Sequence, residues 1–217
     1  MTAQLYMVID FECFQPNVWQ SVGIILYSHT GGGNGGGHLV KSFHTACDRG
    51  THTRPSSTAE FWKRHPDAFV YNVEQGAGRE TQAEEIRICQ FIDSVKREFP
   101  LFYLISDVPE YDIGLMDDIL LRNGSERMSH RNDHTYLRSV CTWSSRRVLK
   151  LLGVSVAHHV LVVPPTSTPP HTPIVDCCRI LNDYLCTLRA VGRQRLYTKQ
   201  HKSIRDRVLC RSDVGTC

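Results

Sequence analysis

No stretch of this 217-residue sequence approaches the roughly 20 consecutive apolar residues that a membrane-spanning helix needs. The opening MTAQLYMVID lacks the basic region and small-residue cleavage site of a secretory leader, so it reads as a first strand. With neither feature present, the protein is expected inside the cell, in the cytoplasm or nucleus, away from membranes. No C-x-x-C pair occurs and the nine cysteines are odd in number. Both facts argue against a zinc ribbon or a disulfide framework and for reduced thiols. The eleven histidines show no regular ligand spacing. A Cys/His-rich zinc-binding interaction protein stays open as an alternative on composition alone. The glycines of TGGGNGGGH (30–38) lack the Lys-Ser/Thr ending of a phosphate loop, so they read as a flexible hairpin connection. There is no internal repeat.

What is there suits one compact enzyme. The length fits a single domain with a short appendage, and a 41% hydrophobic content suffices for a sizeable core. The net charge of +3 hides an asymmetry. Residues 189–217 carry Arg189, Arg193, Arg195, Lys199, Lys202, Arg205, Arg207 and Arg211 against Asp206 and Asp213. That segment is +6, which leaves −3 for residues 1–188. We therefore divide the chain into a domain over 1–188 and a basic extension over 189–217. A basic tail on a mildly acidic body suits a phosphate-gripping extension, with Arg193, Arg195, Lys199 and Lys202 as nucleic-acid contacts. A solvated helix with charged faces fits the same charges.

The chain reads as strands first, then strands alternating with helices. Leu5–Ile9 is an unbroken apolar run, Val18–Tyr27 a second strand and His38–Ala46 a third. One helix is expected over Thr58–Asn72. Another is expected over Thr81–Phe99, with Ile86, Cys89, Ile92 and Val95 at helical spacing. Pro100 closes it before a strand at Leu101–Ile105. Pro109 starts a helix that ends near Gly124, a further helix lies near 144–152, and VLVVPPTSTPP is a strand running into a proline-rich loop. The last helix spans Pro173 to about Leu188. Its apolar stripe is Ile174, Cys178, Leu181, Leu185 and Leu188, so Asp176 needs the flank of Cys177, Ile180 and Tyr184 to be covered as well. This order indicates an α/β fold, a mixed sheet flanked by helices.

Acidic residues sit inside or beside these apolar stretches, where an unpaired charge is costly. Asp10 and Glu12, two apart on the first strand, point to one face. Asp112 heads the stripe of Leu115, Met116 and Ile119. Asp117 and Asp118 lie off that stripe and are expected in solvent, and Asp107 is expected to cap the helix. Cys13, by alternation, faces away from Asp10 and Glu12. Asp176 falls in the first turn of the last helix, after Thr172 as N-cap, with His171 just before it. Converging carboxylates of this kind bind two divalent ions for phosphodiester cleavage, and magnesium or manganese suits an all-oxygen set. A histidine at their edge has the pKa of a general base. A second H-x-x-x-x-D, His201 and Asp206, sits among cations that depress a histidine pKa, so His171 and Asp176 are preferred.

The order D-F-E, S-x-x-P-x-Y-D-x-x-L and H-x-x-x-x-D resembles the DEDD 3′–5′ exonuclease superfamily in its histidine-containing (DEDDh) branch. QSVGIILY resembles the strand after the first motif. AEFWKRHPDA resembles the F-W-x-x-x-P segment of the phage exonuclease A and bacterial exoribonuclease-like group. The resemblance spans roughly residues 5–188 and implies a ribonuclease H-like fold that removes nucleotides from a free 3′ end of DNA or RNA. It implies that Asp10, Glu12, Asp112 and Asp176 bind two Mg²⁺ or Mn²⁺ ions, with His171 as general base. Asp107 departs from the Asn that many members carry nearby, which bears on substrate contacts. Phe61 and Trp62 offer faces for stacking a terminal base, although an aromatic pair on an amphipathic helix is more often core. A catalytically inactive nucleic-acid-binding module of the same fold is the nearest alternative.

Overall fold

The computed structural model describes residues 3–15, 18–30, 36–49, 56–128, 140–141, 147, 150–151 and 168–190. Strands β1 (Gln4–Gln15), β2 (Val18–His29) and β3 (Gly37–Ala46) form an antiparallel meander. β4 (Tyr103–Ser106) lies parallel to β1, and β5 (Val140–Cys141) parallel to β4. The sheet order is β3-β2-β1-β4-β5, a mixed α/β architecture. Helices α1 (Ser56–Arg64), α2 (Pro66–Gly76), α3 (Thr81–Glu98), α4 (Pro109–Arg122) and α5 (173–190) flank it. No helix among the described residues is long and apolar enough to cross a membrane.

Strand alternation divides the core into two layers. Met7, Ile9 and Phe11 of β1 join Val22, Ile24 and Leu26 of β2 against α3 and α4, whose Ile88, Ile92, Met116 and Ile119 are fully buried. Tyr6, Val8, Ile25 and Ile105 on the other face pack against Cys177, Ile180 and Leu181 of α5. Asp10 and Glu12 continue the Tyr6–Val8 row, so the first strand aims them at the α5 side.

Several expectations change. The helix expected over Thr58–Asn72 is two helices, because Pro66 opens α2 and His65 before it leaves the helical region at φ −128° and ψ 58°. In α3 the buried stripe runs through Glu85, Ile88, Cys89, Ile92 and Val95, and Ile86 is 42% exposed. Leu101 is 66% exposed and β4 begins at Tyr103. Asp117 is buried and accepts the Met128 N–H at 2.6 Å, which replaces the expected solvation. In α5 the buried stripe is Cys177, Cys178, Ile180, Leu181 and Leu185, while Leu188 is 39% exposed. That stripe turns the Asp176 side of the helix inward. The N-cap position of α4 is Val108, and the Asp107 carboxylate pairs with Arg179. Arg147, Lys150 and Leu151 are helical, while the rest of 144–152 and the strand of VLVVPPTSTPP lie outside the described residues.

Candidate metal centre

Three local devices deliver the four carboxylates of the candidate site. Asp10 and Glu12 stand on β1, whose neighbours at those positions in β2 are Gly23 and Ser21. Gly23 matters through what it lacks. A Cβ there would lie 2.5 Å from the Pro173 carbonyl carbon, so only a glycine lets the start of α5 rest on the sheet beside Asp10. Asp176 follows in that first turn, its N–H bonded to the Thr172 carbonyl at 3.0 Å. Thr172 thus occupies the N-cap by its backbone, while its hydroxyl donates to the Pro169 carbonyl at 2.9 Å. Asp112, on the first turn of α4, is pinned to β1 through the Phe11 N–H at 3.2 Å. Its other oxygen accepts a short hydrogen bond from the Ser106 hydroxyl.

These devices bring Asp10, Glu12 and Asp176 together, with one ligand-capable oxygen from each within 4.8 Å of the others. Asp112 stands beside them rather than in that set, with its two oxygens accepting from Phe11 and Ser106. Burial, then the charges of Glu12, Asp112 and Asp176, hold the Asp10 carboxyl well above the usual carboxylate range. Burial and then Asp176 and Asp112 raise Glu12 likewise. Burial lifts Asp112 to about 6 against the hydrogen bonds from Ser106, Phe11 and Val108. Asp10 Oδ2 is buried without a hydrogen-bond partner. A buried acceptor left open amid three other carboxylates costs free energy unless it takes up a proton or a cation joins it. The oxygen-only donor set fits Mg²⁺ or Mn²⁺. Among the described residues no cysteine or histidine belongs to a metal-capable group, and Cys13, Cys47, Cys89, Cys177 and Cys178 form no disulfide.

His171 lies at the edge of this cluster, with Nδ1 3.8 Å from Asp176 Oδ2. Its backbone is left-handed at φ 60°, a region in which histidine is several-fold enriched among non-glycine residues. Its ring packs on His65 with centroids 3.9 Å apart and meets Phe61 edge-on at 5.5 Å. Burial lowers its pKa, Asp176 opposes that shift, and His65 and Arg179 add to it.

A cavity of about 300 Å³ opens beside Glu12, lined also by Cys13, Thr58, Phe61, Trp62 and Tyr111. Cys13 packs against the layer of Met7, Ile9 and Phe11, on the face away from Asp10 and Glu12, as alternation predicts. It also contributes to the wall of the cavity, where the β1–β2 register is irregular at Glu12/Cys13 and Cys13/Gln15. Trp62 is mostly core: its ring packs on Phe14, and its indole N–H donates to the Cys13 carbonyl at 3.3 Å. Phe61 is the more open of the pair. Arg193, Arg195, Lys199, Lys202, His201 and Asp206 lie outside the described residues.

Sequence reading missed three residues here. Arg179 donates from Nε to Asp176 at 3.0 Å and from Nη2 to Asp107 at 3.1 Å; its spacing of three from Asp176 on a helix was the available signal. Ser106 is the serine of the S-x-x-P-x-Y-D motif, although the motif did not pair it with Asp112, and His65 had no comparable signal because its partner His171 is remote in the chain.

No protein-family model and no curated protein matches the sequence. Among solved structures, the fold is similar to E. coli Exonuclease I in complex with a 5cy-dA13 oligonucleotide, at a TM-score of 0.51 and 10% identity. The match covers 83% of this chain and 40% of that one. The same enzyme with a dT13 oligonucleotide gives 0.47 and 11%, over 95% and 43% of the two chains. Thermus thermophilus RuvC gives 0.35 and 11%, over 84% and 95%. The chain thus spans less than half the length of exonuclease I, and at these identities the likeness establishes the fold alone.

Proposed function

We propose that this protein is a metal-dependent 3′–5′ exonuclease of the DEDDh type, acting on nucleic acid with a free 3′ end. The observation that carries this reading is the convergence of Asp10, Glu12 and Asp176, with Asp112 beside them and a buried Asp10 oxygen left without a partner. An acidic cluster of this kind disfavours its own charged state, so its retention in a folded core speaks for a cation-binding task. The shared fold with an exonuclease solved on a dA13 oligonucleotide supports nucleic acid as the substrate class.

Asp10, Glu12, Asp112 and Asp176 would hold two Mg²⁺ or Mn²⁺ ions, which supply Lewis-acid activation of water and of the scissile phosphate when bound. His171, at the solvent edge and with its pKa kept low by burial, is neutral near pH 7 and ready to take a proton from the attacking water. The adjoining cavity, with Phe61 on its wall, suits one unpaired terminal nucleotide. Residues 189–217 would grip the backbone beyond it, with Arg193, Arg195, Lys199 and Lys202 as contacts. Digestion of 3′- and 5′-labelled DNA and RNA oligonucleotides, with and without Mg²⁺ or Mn²⁺, tests the reading. It predicts mononucleotide release from the 3′ end only when metal is added. Metal-independent binding without cleavage would favour the inactive nucleic-acid-binding module instead.

A further inference from the structure

Arg179 stands where two acidic elements meet, and nothing in the two-metal reading requires it. Its guanidinium is one planar fork. Nε donates to Asp176 Oδ1 at 3.0 Å, and Nη2 donates to Asp107 Oδ2 at 3.1 Å. One rigid group therefore fixes two carboxylates at once, which a lysine ammonium on a flexible stem does not reproduce. Asp107 belongs to the β4–α4 connection, next to Ser106, whose hydroxyl holds Asp112. The fork thus ties α5, carrier of Asp176, to the segment that anchors the neighbouring carboxylate. With Oδ1 taken by Arg179, Asp176 keeps Oδ2 for the His171 side of the cluster.

We propose that Arg179 and Asp107 form a charge-neutral clamp that orients the Asp176 carboxylate toward Asp10 and Glu12 for a divalent cation. Arg179 is then a positioning residue. The inference rests on the metal-centre reading above and adds a residue pair that the motif resemblance does not supply.

Two effects of the guanidinium oppose each other, and their sizes decide between them. As a cation it repels an incoming metal ion. That repulsion is offset by Asp107 and screened because the Arg179 side chain is 52% exposed, which limits it to roughly a few-fold in affinity. As an orienting donor it spares the metal the entropy of arresting Asp176. Removing such an outer partner typically weakens metal binding by about 10–100-fold. Orientation outweighs repulsion.

The test is calorimetric titration of Mn²⁺ into the full-length protein without nucleic acid. It compares the wild type with Arg179→Lys and with the double variant Asp107→Asn/Arg179→Gln. The double variant removes both arms of the clamp and keeps the net charge, so any change in affinity reports geometry. We expect it to bind Mn²⁺ about 10–100-fold more weakly, with its nuclease turnover recovering at higher Mn²⁺. Arg179→Lys, which keeps the charge and loses the fork, should fall between the two, and it decides the question if the double variant does not fold. A folded double variant with wild-type Mn²⁺ affinity would overturn the clamp and leave the metal centre intact. A wild-type protein that binds no Mn²⁺ would sink both.

Discussion

Burial and three neighbouring carboxylates hold the Asp10 carboxyl above its ordinary range, so the folded protein takes up a proton there that the unfolded chain releases. The sign follows. Without metal, the contribution of Asp10 to stability is fully present at acidic pH and is lost as pH rises from the ordinary carboxylate value near 4 through the raised folded value. Asp10→Asn should therefore melt higher than wild type at pH 7.5 in a chelator, by about 2–4 °C for each kcal/mol recovered, while losing hydrolysis. Added Mn²⁺ should raise the wild-type melting temperature and leave the variant's nearly unchanged. Differential scanning calorimetry with and without metal reads both; a variant that melts lower than wild type in chelator would contradict the argument. His171 carries the second prediction at this scale. Its removal should cost about 10²–10⁴-fold in turnover and delete the acid limb of the pH–rate profile. That limb should lie below pH 6.5 in the wild type, because burial lowers this histidine's pKa. His201→Ala should change turnover little. Equal losses in the two variants would move the third motif into the C-terminal segment.

Secondary-structure elements meet at close range where α5 crosses β2. Gly23 is the cross-strand neighbour of Asp10, and a Cβ there would lie 2.5–2.7 Å from backbone atoms of Pro173 and Ile174. Backbone has nowhere to yield, so Gly23→Ala should push the first turn of α5 off the sheet and carry Asp176 with it. Overpacking of this kind typically costs about 1–3 kcal/mol, and the metal dependence of activity should worsen together with the melting temperature. Gly114 is the control. It lies in α4 with nothing near its missing Cβ, so Gly114→Ala should gain roughly 0.5–1 kcal/mol from helix propensity. If both alanines proved equally mild in thermal melts, the close approach of α5 to β2 would not be what positions Asp176.

For the molecule as a whole, the distribution of charge sets the expected salt dependence. The acidic body carries the carboxylate cluster, and the +6 segment follows it in the chain. Residues 189 and 190 belong to α5, so the truncation is made after Ala190. If residues 191–217 grip phosphates, the truncated protein should bind a 3′-ended oligonucleotide more weakly. Its logarithmic salt slope should fall by about 0.7–0.9 for each phosphate that the shortened chain ceases to neutralise. Fluorescence anisotropy at several salt concentrations measures this, and an unchanged slope in a folded truncation would reduce the segment to a role outside binding.

Local periodicity was enough to read β1 to β4, the helices α3 to α5, and the shared face of Asp10 and Glu12, because alternation and the 3.6-residue repeat are properties of one element at a time. Proline and glycine marked the starts and ends of helices for the same reason. Facts that depend on which elements dock were not legible. Phe11 and Asp112 lie 101 residues apart and Arg179 and Asp107 72 apart, and no local pattern couples them. The burial of Asp117 hangs on a loop N–H that folds back onto it. The sequence by itself determined which side chains each strand and helix presents to one face. Only the tertiary structure decided which of those faces meet, because the meeting of faces is set by how elements pack, and packing joins residues that are remote along the chain.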